Sequence, residues 1–114
     1  MNRTTINRRI SLCRQGDLMI NSGVCAKADG QQIALFYLPL ETPAVYALDN
    51  WDPIGKANVL ARGMVGDIDG RLMVASPLYK QHFDLLTGEC LENSDISVPV
   101  FAVELVADHV LLSR

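Results

Sequence analysis

Cysteine and histidine are scarce in this chain of 114 residues, which has only Cys13, Cys25 and Cys90 and the histidines His82 and His109. An odd, widely spaced set of cysteines is no disulfide framework, and no Cys-x-x-Cys pair is present for a metal or a redox couple. Aromatic residues make up 6%, too few for an obvious base-stacking platform. No apolar run approaches the roughly 18 residues that span a bilayer; the longest, residues 33–40, is interrupted by Pro39. The N-terminal arginines are not followed by an apolar stretch of the signal-peptide kind. Neither G-x-G-x-x-G nor G-x-x-x-x-G-K-[ST] occurs, so no glycine-rich phosphate loop is available. These absences argue against a disulfide-built secreted domain, a membrane span and a nucleotide-binding loop, and they make the cytoplasm the expected location.

What is present points to an ordered core. Hydrophobic residues account for 49% and charged residues for 20%, a balance outside the disordered class. A chain of this size buries about two thirds of its unfolded surface in one core, so one domain over residues 1–114 is expected, with residues 1–8 as a solvated tail. The net charge of −3 is unevenly spread: four of the ten basic residues, Arg3, Arg8, Arg9 and Arg14, lie in the first sixteen positions, and every acid lies beyond them. A phosphate-binding arm or a transit peptide would be Arg-rich in this way. However, Arg9-Ile10-Ser11-Leu12-Cys13 alternates polar and apolar, the pattern of an edge strand following a solvated tail.

Alternation with a period of two, punctuated by turn residues, runs through the rest. Residues 24–28 and 32–38 flank Asp29-Gly30, and residues 64–68 and 71–75 flank Asp69-Gly70, two hairpin signals. Further strands are expected at 44–48, 80–85, 98–106 and 110–113, the last two joined through Ala107-Asp108-His109. Helical spacing is weak, with short candidates only at 14–19 and 56–60. Eight or nine short strands predict a small all-β antiparallel sandwich or barrel. Two segments, 48–63 and 75–84, each place a proline just after a strand and read as prominent loops on a rigid scaffold.

The residues carry no self-contained active site. His82 beside Phe83 reads as a half-exposed strand residue, and His109 as a solvated turn residue. Cys13 and Cys25 fall on apolar alternations and read as buried, inert thiols. Asp84, Glu89, Glu92 and Asp95 lack the spacing of a calcium loop and read as a solvated acidic surface. Trp51 reads equally as a partner anchor or as packing against its own loop.

The two loops resemble those of a Rieske domain, which binds a 2Fe–2S cluster between C-x-H and C-x-x-H motifs. Its second loop usually continues into an F-D-x-x-T-G-E strand and turn. Here Ser76-Pro77-Leu78-Tyr79 is followed by Phe83-Asp84-Leu85-Leu86-Thr87-Gly88-Glu89, and the first loop reads Asp52-Pro53-Ile54. The four ligand positions are thus occupied by Asp52, Ile54, Ser76 and Tyr79. This degenerate pattern is similar to the small subunit of the bacterial NAD(P)H-dependent assimilatory nitrite reductase, through Asn50-Trp51-Asp52-Pro53, Val59-Leu60-Ala61-Arg62-Gly63 and Met73-Val74-Ala75-Ser76-Pro77-Leu78-Tyr79-Lys80-Gln81.

The resemblance implies a Rieske-like all-β fold with both loops at one tip, and no catalytic residue, cofactor or metal in this chain. It implies a partner, the large subunit carrying FAD, a 4Fe–4S cluster and sirohaem, which reduces nitrite to ammonium. No nucleic acid or membrane partner is expected. The candidate contacts to the large subunit are Trp51, Asp52, Pro53, Lys56, Arg62, Ser76, Pro77, Tyr79, Lys80, Gln81 and His82. The alternatives are a Rieske-type electron carrier with atypical ligands, or a small β-barrel binding a nucleic acid or a small ligand.

Overall fold

The run Ile33-Ala34-Leu35-Phe36 has no polar residue on either alternation, and such a strand must be covered on both faces. The computed structural model, which describes residues 8–113, places it in the middle of three sheets. The run belongs to β3 (Gln31–Tyr37), between β2 (Ser22–Ala28) and β4 (Val45–Asp49), with β10 (Val100–Phe101) on the far side of β4. All pairings in this sheet are antiparallel, and Phe36 stands opposite Gly23 and Tyr46.

The period of two then sorts the side chains between two cores. Ile33, Leu35, Val45 and Ala47 pack on Val110 and Leu112 of β12 (His109–Ser113), which lies between β1 (Arg9–Arg14) and β11 (Val103–Val106). Ala34, Phe36, Tyr46 and Leu48 face the opposite way, onto Leu60, Val74, Phe83 and Leu85. Val74 and Phe83 come from the third sheet, formed by β7 (Met64–Ile68), β8 (Arg71–Ala75) and β9 (His82–Asp84). A two-stranded ribbon, β5 (Trp51–Asp52) with β6 (Ala57–Asn58), projects beside it.

The expected all-β architecture is observed, and both Asp-Gly hairpins form with positive φ at both turn residues, the conformation that suits two-residue hairpins. Several finer expectations are corrected. The helix expected at 14–19 is a single 3-10 turn at Gln15–Asp17, and the one expected at 56–60 is replaced by β6 and a 3-10 turn at Leu60–Arg62. The strand expected over 98–106 is two strands in two different sheets, so the chain changes layers around Ala102. His109 opens β12 instead of sitting in a turn, with Nδ1 2.9 Å from Ser11 Oγ. Cys25 is exposed, not buried: it shares a face with Ala34, its partner on β3, but lies on the edge strand β2, beside the polar side chains of Gln32 and Asn50. The expected tail at 1–8 lies, save for Arg8, outside the described residues.

Candidate functional site

The stem of the first loop is set by Asn50, only 3% exposed. Its Oδ1 accepts the Ala61 N–H at 2.7 Å, its backbone carbonyl accepts the Leu60 N–H at 3.1 Å, and its Nδ2 donates to Gln32 Oε1 at 3.0 Å. One side chain therefore ties the central sheet to the 3-10 turn carrying Arg62. Gly63 then passes so close to the Ala75 carbonyl and Val74 that a Cβ would not fit. This brings Arg62 to the same end of the molecule as the second loop.

Within the loops, one turn is built three times. Asp52 Oδ1 accepts the N–H groups of Ile54 and Gly55 at 2.8 and 3.0 Å, and its carbonyl accepts the Lys56 N–H at 2.7 Å. Ser76 Oγ accepts the Leu78 N–H at 3.3 Å, and its carbonyl accepts the Lys80 N–H at 3.1 Å. Asp84 Oδ1 accepts the N–H groups of Leu86 and Thr87 at 2.7 and 3.0 Å, and its carbonyl accepts the Gly88 N–H at 2.8 Å. A short polar side chain capping its own turn is what places Asp and Ser at these starts. In each copy the fifth residue has positive φ: Lys56 at 57°, Lys80 at 66° and Gly88 at 79°. A left-handed lysine costs about 1–2 kcal/mol that glycine avoids.

The first two copies are joined directly. The Ser76 hydroxyl donates to Asp52 Oδ2, both residues are fully buried, and Gly55 lies against Leu78. Around this junction Trp51, Leu78 and Tyr79 are 40%, 44% and 64% exposed. Pro77, Lys56, Arg62 and Lys80 are exposed as well, with Pro53 and Ile54 half-buried, Ile54 against the inner core. His82 lies at the end of the second loop, its backbone N–H donating to Glu92 Oε1 at 2.8 Å and its Nδ1 lying 2.6 Å from Glu92 Oε2. Burial pushes the Glu92 carboxyl up, but the hydrogen bonds from His82 outweigh it and hold the pKa below its ordinary value. Gln81 Oε1 is buried without a hydrogen-bond partner.

The expected contact residues therefore gather at one tip, with two exceptions in kind. Asp52 and Ser76 have no surface to offer and hold the loops from beneath. The expected solvated acidic group is corrected at Asp84, which is buried and paired with Arg71 at 2.8 Å. The recurrence of the turn was visible in the sequence as Asp-x-x-x-Lys, Ser-x-x-x-Lys and Asp-x-x-x-Gly, a signal that strand-by-strand reading passes over.

A 2Fe–2S centre of the Rieske type needs two thiolates on one iron and two imidazoles on the other. The residues here do not fit it: a carboxylate and a hydroxyl spend their oxygens on each other and on the loop backbone, Ile54 offers only carbon, and Tyr79 carries a phenol in place of an imidazole. Among the described residues no three His, Cys, Asp or Glu side chains converge to hold a metal ion.

Three stacked antiparallel sheets with two hairpin loops meeting at one tip define a Rieske-like domain, and the family model described as Rieske-like [2Fe-2S] domain matches residues 9–113. The small subunit of nitrite reductase (NADH) from Salmonella typhimurium is 42% identical over 88 residues, 77% of this chain and 81% of that protein. The NMR structure of the E. coli protein NirD superposes with a TM-score of 0.85 at 33% identity, covering 96% of this chain and 98% of that one. The chain belongs to the family of nitrite reductase small subunits. It is also 37% identical over 110 residues to the nitrite reductase [NAD(P)H] large subunit of Klebsiella oxytoca, a match spanning 91% of this chain but 11% of that protein.

Proposed function

We propose that this chain is the accessory small subunit of a cytoplasmic NAD(P)H-dependent nitrite reductase, docking through its loop tip on a large subunit that reduces nitrite to ammonium. The FAD, 4Fe–4S cluster and sirohaem that such a six-electron reduction uses belong to the large subunit. The observation that carries the reading is the tip itself: a cluster-type pair of loops whose ligand atoms are turned inward on each other, while their outer side presents apolar and cationic side chains. Such a tip can bind a partner, but it does not offer the two thiolates and two imidazoles that a Rieske centre needs. The Klebsiella similarity supports the pairing, because there the same domain shares one polypeptide with a large subunit. Co-purification with its large subunit tests the reading. Charge reversal at both Arg62 and Lys80 is expected to weaken co-purification with a fold that remains intact by circular dichroism; undiminished recovery of the complex would remove the tip as the docking surface.

A further inference from the structure

The turn at 84–88 shows how this chain builds its five-residue loop without strain: Gly88 takes the left-handed position, and a Cβ there would meet the Val98 carbonyl. The two copies at the tip put lysine in the same position. Neither lysine is enclosed, since both are exposed. Neither is repaid by an ion pair: among the described residues Arg8, Arg9, Arg14 and Arg71 are paired with carboxylates, while Lys56, Arg62 and Lys80, with Lys27 on β2, are not. The nearby acids are already engaged. Asp52 is turned inward, Asp49 Oδ1 accepts the Trp51 N–H at 3.0 Å, and Glu92 holds His82. Positive φ at an exposed residue is not confined to the tip, since Ala107 has it at 48°. What sets the two lysines apart is a charge with no side-chain hydrogen bond or ion pair among the described residues, and such a charge is free to meet something outside the chain.

The setting makes these two charges well defined. Each lysine N–H is bonded to the carbonyl of Asp52 or Ser76, and the two turns are locked together by the Ser76 hydroxyl on Asp52. The cations therefore start from a fixed backbone, which lowers the ordering cost of binding. The whole chain has a net charge of −3, so unpaired cations gathered at one end favour an acidic partner there and orient its encounter as well as strengthening it.

Resting on the subunit reading above, we propose that Lys56 and Lys80 are paired electrostatic anchors for a carboxylate-rich surface of the nitrite reductase large subunit. Arg62 is a third cation, and Trp51, Leu78 and Tyr79 are the exposed apolar residues of the same two loops. The test is binding of the purified chain to its large subunit over a salt series, with Lys56→Gly/Lys80→Gly and Lys56→Arg/Lys80→Arg beside the wild type. The glycine pair is expected to weaken binding about tenfold at low salt and to flatten its salt dependence, with a melting temperature no lower than wild type. The arginine pair is expected to keep wild-type affinity. Unchanged affinity and salt dependence in the glycine pair would overturn the proposal, and so would a lowered melting temperature, which would make the lysines part of the fold. A wild-type chain that fails to bind the large subunit at any salt concentration overturns the subunit reading itself, a result distinguishable from either.

Discussion

Asp52 accepts two backbone N–H groups and the Ser76 hydroxyl while fully buried. Replacing it with alanine leaves the buried Ser76 hydroxyl and the two part-buried N–H groups of Ile54 and Gly55 without this partner, a buried donor left unpaired costing about 1–3 kcal/mol. Asp52→Ala is expected to lose about 3 kcal/mol or more in urea denaturation, and Asp52→Asn, which keeps an acceptor at Oδ1, clearly less. Gln81 is the opposite case. Its buried side-chain carbonyl has no partner, so Gln81→Met, similar in shape, is expected to raise stability by about 1 kcal/mol in the same measurement. Sequence reading marks both Asp52 and Ser76 as departures from a ligand pattern. It does not reveal that they bond to each other, because nothing local links residues so far apart in the chain.

Among the elements, the turn at 84–88 carries the clearest pH dependence. Burial pushes the Asp84 carboxyl up, but the N–H groups of Thr87 and Leu86 and the guanidinium of Arg71 outweigh it, and its pKa is lowered from the ordinary value of 3.8. A carboxylate depressed in the folded state adds stability at pH above its unfolded pKa, and that stability is lost as the pH falls through the folded value. Arg71→Ala removes one of the lowering contacts, so the variant is expected to begin acid unfolding at a higher pH than wild type, followed by circular dichroism. Gly88→Ala tests the same turn sterically. The new Cβ meets the Val98 carbonyl at a positive φ, and a loss of about 2 kcal/mol or more is expected. Hairpins with Asp-Gly turns were legible residue by residue because the turn chemistry is local. The tip turns were read instead as helix or open loop, because their shape depends on a side chain capping its own backbone, and Lys at the left-handed position hides the cue that glycine gives at Gly88.

On the scale of the whole molecule, alternation and turn residues placed a strand over 32–38 but not its burial on both faces at 33–36, nor the order of the layers. That order depends on β10 and β11 dividing between two sheets, a long-range choice that alternation alone does not encode. The same long-range geometry decides the cofactor question. Cys13 lies on β1, Cys25 on β2, and Cys90 is buried in the core cluster with Phe83 and Leu85, so none of the three thiols belongs to the loops at the tip. Oxygen donors from Asp52 and Ser76 are hard ligands already hydrogen-bonded, and the softer sites an iron–sulfur centre selects are absent there. The chain purified without oxygen, and again after incubation with ferrous iron, sulfide and a thiol reductant, is therefore expected to hold far less than one iron per molecule and to lack the visible absorption of a 2Fe–2S centre. Stoichiometric iron with that absorption would mean that the loops open and recruit ligands from elsewhere, and would return the domain to electron transfer.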